Sequence, residues 1–151
     1  MAAGLTIQPG KIDALRTRLN DLACQAFKKE TMERPLRLDA EVGLEEMTME
    51  CLTHLGRLKP VGQGNPVAQF LARNVCHQRP LQRVGADKQH VKMWVTDGAA
   101  AQEGVWWSAG NESLPVGQFD LAFAPVVNEY NGRRSVQLKV LDWRTANGTW
   151  I

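Results

Sequence analysis

The chain has 151 residues, 44% of them hydrophobic, which is enough for one soluble domain with an ordinary core and argues against disorder. No window approaches the ~20 consecutive apolar residues of a membrane-spanning helix, and the N-terminus lacks the layout of a signal peptide, so we expect a cytoplasmic protein with no membrane partner. The net charge of +2 is below that of a dedicated nucleic-acid-binding domain, although the excess lies in residues 67–151, which hold nine Lys/Arg and seven Asp/Glu.

The cysteines and histidines predict neither a disulfide framework nor a metal site. Cys24, Cys51 and Cys76 are odd in number, far apart and outside any C-x-x-C spacing, so we expect free thiols. The histidines are equally scattered, and none has a second ligand-type residue at metal spacing. We therefore expect no cofactor in this chain.

The first 58 residues predict two helices and one strand. The opening MAAGLTI looks like the end of a strand, which suggests a domain that begins upstream. Apolar residues then recur every three or four positions and predict an amphipathic helix; they are Ile12, Leu15, Leu19, Leu22 and Ala26. Alternation over residues 36–42 predicts a half-buried strand, and an apolar stripe with an acidic first turn predicts a second helix over 44–58.

A stiff segment ends the second predicted helix. Residues 58–70 read LKPVGQGNPVAQF and carry more turn-forming residues than a simple reversal needs. We interpret five of them as a structural hinge: Pro60, Gly62, Gly64, Asn65 and Pro66. Gly62 or Gly64 is expected to take a backbone conformation that is closed to residues with a side chain.

From residue 67 onward the pattern is extended. It predicts five strands, near 67–75, 90–97, 103–109, 117–128 and 135–144, and the pair Asn131-Gly132 predicts a type I′ hairpin between the last two. Five strands of this length are typical of an OB-fold, which receives single-stranded nucleic acid or oligosaccharide on its second and third strands. Other small barrels have the same number of strands. The predicted fold class is α+β: an N-terminal helical segment and connector, followed by a five-stranded OB-fold-like β-barrel.

No catalytic motif is present. Asp97, Glu103, Asp120 and Asp142 fall on different predicted strands, so no pair of carboxylates is expected to converge for acid/base or metal chemistry. The Gly-x-Gly in VGQGNP is followed by Asn-Pro, where a phosphate-binding turn would lead into a helix. We therefore predict no catalytic residue here.

The predicted strand 90–97 carries a candidate binding surface. Alternation puts Val91, Met93 and Val95 on one face, which leaves Lys92 and Trp94 on the other. An outward aromatic ring beside a cation can stack a base and contact a phosphate. The open alternative is that the ring packs against the N-terminal helices or a neighbouring domain.

Two further stretches extend this candidate surface. Trp106 and Trp107 must point to opposite faces of a strand, and Trp106 lies outside if Val105 and Trp107 fill the core. The stretch YNGRR surrounds a tight turn whose arginines can straddle phosphates, with a solvated hairpin tip as the alternative. The predicted nucleic-acid contacts are Arg73, Lys92, Trp94, Trp106, Tyr130, Arg133 and Arg134.

Several segments resemble, in order, the C-terminal region of the RecJ single-strand-specific DNA exonucleases. The most specific are PVGQGNP and NEYNGRRSVQLKVLDW, and MAAGLTI resembles the tail of the segment that closes the DHHA1 domain, with its Gly-Gly-His part absent. The resemblance implies a DHHA1 remnant at 1–34, a strand–helix connector with the hinge at 35–66, and an OB-fold domain at 67–151.

The resemblance also implies a role in DNA repair and recombination. Members of the family degrade single-stranded DNA from 5′ to 3′ with Mn²⁺ or Mg²⁺ held by motifs of a DHH domain. None of those motifs lies in this chain, so we expect a piece of such a nuclease that is inactive alone and holds the strand for the missing DHH/DHHA1 nuclease body. The alternatives are a protein-docking module that contacts a single-strand-binding protein or helicase, and a purely structural brace.

Overall fold

The computed structural model describes residues 4–26, 35–110 and 112–146. It divides into two compact units, Met1–Leu36 and Arg37–Ile151. Within the described residues, no helix is long and apolar enough to cross a membrane.

The described residues of the first unit form one α-helix. The 3₁₀ turn Pro9–Lys11 leads into helix α1, Ile12–Ala26, which confirms the predicted amphipathic helix. Proline fits the start of this turn because its fixed φ suits the first helical position and its missing N–H would have no helical partner there. The predicted strand end is wrong for residues 4–8, which carry no strand and have no pairing partner in the described part of the chain, while residues 1–3 lie outside it.

The second unit begins with the connector. Of the predicted strand, β1 comprises only Ala40–Glu41, which pair in parallel with Phe70 and Leu71. The N–H of Val42 still donates to the carbonyl oxygen of Leu71 at 2.9 Å, but the paired segment ends there. The predicted second helix is divided into a 3₁₀ turn at Leu44–Glu46, helix α2 at Met49–Leu55 and a second 3₁₀ turn at Gly56–Leu58. The division occurs because Thr48 is an N-cap: its hydroxyl accepts a 3.1 Å hydrogen bond from the N–H of Cys51, which starts a new helix.

The hinge segment, residues 60–66, forms a tight turn that is held by hydrogen bonds of Asn65. Gly62 and Asn65 exchange two backbone hydrogen bonds, at 2.8 and 3.1 Å. The side-chain amide of Asn65 donates to the carbonyl oxygens of Leu58 and Pro60, both at 2.8 Å. Gly64 has φ +85°, a left-handed conformation that favours glycine, so the predicted backbone restriction is confirmed at Gly64.

Six further strands complete the sheet: β2 Phe70–His77, β3 Gln82–Val84, β4 His90–Thr96, β5 Ala101–Trp106, β6 Phe119–Tyr130 and β7 Arg133–Thr145. The order is β1-β2-β6-β7-β5-β4-β3, and β4 also pairs with β2. Five strands therefore form a ring, with β5 and β7 parallel and all other ring neighbours antiparallel. This arrangement agrees with the predicted OB-fold.

The long hairpin between β6 and β7 confirms the predicted turn. Asn131 has φ 49° and Gly132 has φ 73°, the two positive values that a type I′ turn requires. Tyr130 pairs with Arg133 across it.

The 3₁₀ turn at Leu44–Glu46, here called the plug, packs against the hydrophobic core inside the ring. Leu44 and Met47 are buried in the same core as the inward side chains of the sheet. Asp97 accepts a 2.8 Å hydrogen bond from the N–H of Leu44, and Gln102 donates to the carbonyl oxygen of Met47 at 3.0 Å. These bonds join the plug to the β4–β5 turn and to β5.

Candidate nucleic-acid interface

Strand β4 alternates as the sequence predicts. Val91, Met93 and Val95 are buried, whereas the side chains between them are partly exposed on the outer face. Register sets Trp94 directly opposite Glu103 on β5, and Lys92 opposite Val105. Trp94 and Lys92 therefore lie on the outside of the ring, as predicted.

The predicted orientation of β5 is wrong. Trp106 pairs with Val91, which puts it on the inward face of the strand, where it packs against the core. One of the inward positions of β5 is occupied by Gly104, so this face does not show the run of large apolar residues that marks the core side of a strand. Glycine fits there because a Cβ would lie only 3.1 Å from Cγ of Met93. Val105 is buried even though it faces outward, so hydrophobicity alone points to the wrong face.

Trp107, just after β5, is the exposed tryptophan of the pair. Its side chain is 52% exposed, and its ring centre lies 4.8 Å from that of His90 in an edge-on arrangement. Nδ1 of His90 accepts a 3.0 Å hydrogen bond from the N–H of Ser108, which fixes the imidazole against the turn. A second aromatic ring is therefore available beside β4, and it is Trp107 rather than Trp106.

Lys92 is engaged by an acidic neighbour. Its ammonium lies 2.7 Å from Oε2 of Glu103, and the other carboxylate oxygen accepts a 2.6 Å hydrogen bond from the side-chain amide of Gln137 on β7. The three side chains form a row across β4, β5 and β7. This charge pair limits the electrostatic contribution that Lys92 makes to the face.

A cation that the sequence analysis does not single out covers Trp94. The guanidinium carbon of Arg79 lies 4.8 Å from the centre of the Trp94 ring, within the range of a cation–π contact. Arg79 is exposed in the segment between β2 and β3, and no acidic partner for it is found in the described part of the chain. Its place in the basic stretch of residues 73–92 is the sequence signal that could have suggested it.

Arg73 lies apart from this face. It sits in the bulge of β2, where its Nε is 2.6 Å from Oε2 of Glu41 and its NH1 is 3.7 Å from Oδ2 of the buried Asp120. The hydrogen bond and the charge of Glu41 raise the pKa of Arg73. With two carboxylates beside it, this guanidinium is poorly suited to the predicted phosphate contact.

The hairpin tip divides its side chains between two faces. Tyr130 and Arg133 share the outward face of β6 and β7 with Gln137, and Tyr130 is 71% exposed. Arg134 lies on the opposite face, where it pairs loosely with Glu129 at 4.0 Å. Register therefore associates Tyr130 and Arg133, but not Arg134, with the face of Lys92 and Trp94.

No group of three or more His, Cys, Asp or Glu side chains in the described ranges could hold a metal ion. The cysteines in those ranges are free thiols, as expected.

Residues 38–142 match the family described as the RecJ OB domain. The chain belongs to the RecJ OB domain family. It is 28% identical over 145 residues to the single-stranded-DNA-specific exonuclease RecJ of Bacillus subtilis (strain 168), covering 94% of this chain and 18% of that protein. It is 30% identical over 145 residues to RecJ of Dickeya dadantii (strain 3937), covering 93% of this chain and 24% of that protein. The chain thus spans about a fifth of these relatives.

The fold also matches the crystal structure of RecJ in complex with Mg²⁺ from Thermus thermophilus. The TM-score is 0.66 at 19% identity, over 95% of this chain and 21% of that one. The resemblance to RecJ and the predicted fold class are confirmed by these matches.

The OB-fold identifies the outer face of β4 and β5 as the surface to compare with the ligand surface of other OB-folds. In chain order the ring strands are β2, β4, β5, β6 and β7, so β4 and β5 are the second and third strands, whose outer face is the ligand surface of OB-folds. Two loops flank that surface: the β2–β4 connection, which includes Arg79, and the β6–β7 turn. The outward side chains of β4 and β5, together with Arg79 and Trp107, are called the β4–β5 face below.

Proposed function

We propose that this chain binds single-stranded DNA on the β4–β5 face and is the strand-holding portion of a RecJ-type 5′ to 3′ exonuclease. In this proposal, the catalytic motifs and their Mn²⁺ or Mg²⁺ lie in a DHH domain within the much larger part of the relatives that this chain does not cover. The observation that carries the proposal is the outward Trp94 ring with the Arg79 guanidinium 4.8 Å above it.

Stacking supplies the preference for single strands. A base that stacks on Trp94 or Trp107 must present its flat side, which paired bases can do only after unstacking. Each stacked base contributes about 1 to 3 kcal/mol to binding, largely independent of sequence. Two rings on one face therefore favour single-stranded over duplex DNA.

Charge supplies the remaining attraction. Lys139 on β7 pairs with Val105 on β5 and shares its outward face, and Arg79 and Arg133 lie on or beside that face. None of the three has an acidic partner among the described residues. Three phosphate contacts at ~0.7 released counterion each predict a logarithmic salt slope of about −2. The binding is thus expected to be weak and to depend only moderately on salt.

A salt titration with two ligands tests this proposal. Fluorescence anisotropy is measured for a labelled oligothymidylate and for a labelled duplex of the same length, from low to high salt. Tighter binding of the single strand with a slope near −2 supports the proposal, and equal affinity for the duplex contradicts it.

A second candidate function is docking to another part of the same nuclease, or to a single-strand-binding protein or helicase. The observation that favours it is an apolar groove of about 380 Å³ between α2, the hinge and β6, on the rim of which Leu58, Val61 and Val67 are each more than 40% exposed. Because most of each relative's length lies outside this chain, the rest of the nuclease is the favoured occupant. Docking alone predicts no change in tryptophan fluorescence on addition of oligonucleotide.

A further inference from the structure

We infer that the carboxylate of Glu103, through its ion pair with Lys92, prevents this lysine from contacting DNA phosphates and so keeps the affinity for single-stranded DNA low. The inference rests on the proposed binding of single-stranded DNA to the β4–β5 face. Glu103 thereby lowers the affinity of the β4–β5 face for single-stranded DNA.

Both carboxylate oxygens of Glu103 are engaged. Oε2 lies 2.7 Å from the ammonium of Lys92, and Oε1 accepts the 2.6 Å hydrogen bond from Gln137. The Glu103 side chain is only 15% exposed, whereas that of Lys92 is 36% exposed. The carboxylate is therefore fixed between two neighbours, and water screens it less than it screens an ordinary surface acid.

The position of Glu103 matters as much as its partners. Register sets it directly opposite Trp94, so a negative charge lies beside the ring on which a base is proposed to stack. A phosphate that approaches Lys92 meets the carboxylate as well, and the repulsion opposes the attraction. Lys92 can pair fully with a phosphate only by leaving a half-buried carboxylate without its cation.

Arg79 provides the contrast. It lies over the same ring and has no acidic partner in the described ranges, so it can move to a phosphate without leaving a charge behind. The two cations next to Trp94 therefore differ in availability. A strand held by stacking and by Arg79, but not by Lys92, releases fewer counterions on binding and dissociates sooner, which suits a strand that must advance as it is shortened.

Removal of the carboxylate charge tests the inference. Glu103→Gln keeps an acceptor oxygen for Gln137 and frees Lys92, and one added phosphate contact steepens the logarithmic salt slope by about 0.7. At ~0.1 M salt this corresponds to roughly fivefold tighter binding of an oligothymidylate. The double variant Glu103→Gln with Lys92→Gln loses both charges and is expected to bind as the parent does.

Glu41→Gln is the matched control, because Glu41 is also paired with a cation, Arg73, but lies on β1 away from the β4–β5 face. It is expected to leave affinity unchanged. If Glu103→Gln and Glu41→Gln gain affinity for the oligothymidylate equally, the gain comes from net charge and the inference is overturned. The inference is also overturned if Glu103→Gln has the melting temperature of the parent and binds with the same affinity. Failure of both the parent and Glu103→Gln to bind a single strand instead contradicts the proposed function.

Discussion

The guanidinium of Arg79 lies 4.8 Å from the ring centre of Trp94, on the outward side of β4. The contact joins a residue of the β2–β3 segment to a residue of the second ring strand. It places a cation without an acidic partner in the described ranges and an aromatic ring at one point of the face that OB-folds use for ligands.

Arg79 and Arg73 are predicted to differ in their effect on DNA binding. Arg79→Ala should reduce the logarithmic salt slope by about 0.7 and weaken binding, because a phosphate contact is lost. Arg73→Ala should leave the slope unchanged, since Glu41 and Asp120 already neutralise this guanidinium. Anisotropy titrations of both variants over a range of salt measure the difference, and a larger effect of Arg73→Ala would argue against the β4–β5 face.

The two hinge glycines are also predicted to differ. Gly64→Ala should destabilise the chain by about 1 kcal/mol, because φ +85° is unfavourable for a residue with a Cβ. Gly62→Ala should change stability little, since its φ lies outside the left-handed region and a Cβ there would meet no atom within 4 Å. Urea denaturation of the two variants gives the comparison. Equal loss of stability in both would show that the turn is restrained in some other way.

Asp97 is predicted to make stability depend on pH. Burial raises its pKa, but hydrogen bonds from the backbone N–H groups of Ala100, Leu44 and Ala99 outweigh burial and lower it below the ordinary value of 3.8. A lowered pKa means that the folded state favours the carboxylate. The stabilisation is therefore present above pH ~3.8 and is lost as the pH falls through the pKa of the folded state.

Asp97→Asn should accordingly cost about 1 to 3 kcal/mol at pH 7, because one of the N–H groups loses its acceptor. The difference from the parent should shrink when denaturation is repeated near pH 3. Asp87→Asn, in an exposed loop, is the control and should have no effect at either pH. If Asp97→Asn lowers the free energy of unfolding by the same amount at both pH values, the negative charge of Asp97 does not contribute to stability and the prediction is wrong.

The chain alone is predicted to release no nucleotides from single-stranded DNA with either Mn²⁺ or Mg²⁺. The reason is that the resemblance to the RecJ exonucleases implies metal-binding motifs in a DHH domain, and none of those motifs lies in this sequence. Acid-soluble nucleotide release from a labelled oligonucleotide is the measurement, with a metal chelator as the control. Metal-dependent release that co-elutes with the chain through successive columns would contradict the prediction.

The sequence predicts the fold and half of the candidate site for a clear physical reason. On β4, strict alternation of Val91, Met93 and Val95 with polar neighbours sets the orientation of Trp94, because only one face can fill the core. The turn at Asn131-Gly132 is equally well specified, since few residue pairs accept two positive φ values.

The rest of the site depends on tertiary structure. The inward face of β5 includes the small Gly104 opposite Met93, so its hydrophobic pattern is too weak to assign Trp106 and Trp107. The short β3 lies next to β4 at the end of the strand order and has no periodic pattern of its own. The contact of Arg79 with Trp94 arises because the segment before β3 folds back over β4, which no local pattern reveals.

Removal of the Trp94 ring tests the central claim most directly. The affinity of Trp94→Ala for an oligothymidylate and for a matched duplex is measured at several salt concentrations, with Trp94→Phe as the variant that keeps an aromatic face. Trp94→Ala is expected to lose about 1 to 3 kcal/mol of single-strand binding, with an unchanged salt slope, while Trp94→Phe retains most of it. Single-strand binding by Trp94→Ala equal to that of the parent would contradict a stacking role for the β4–β5 face.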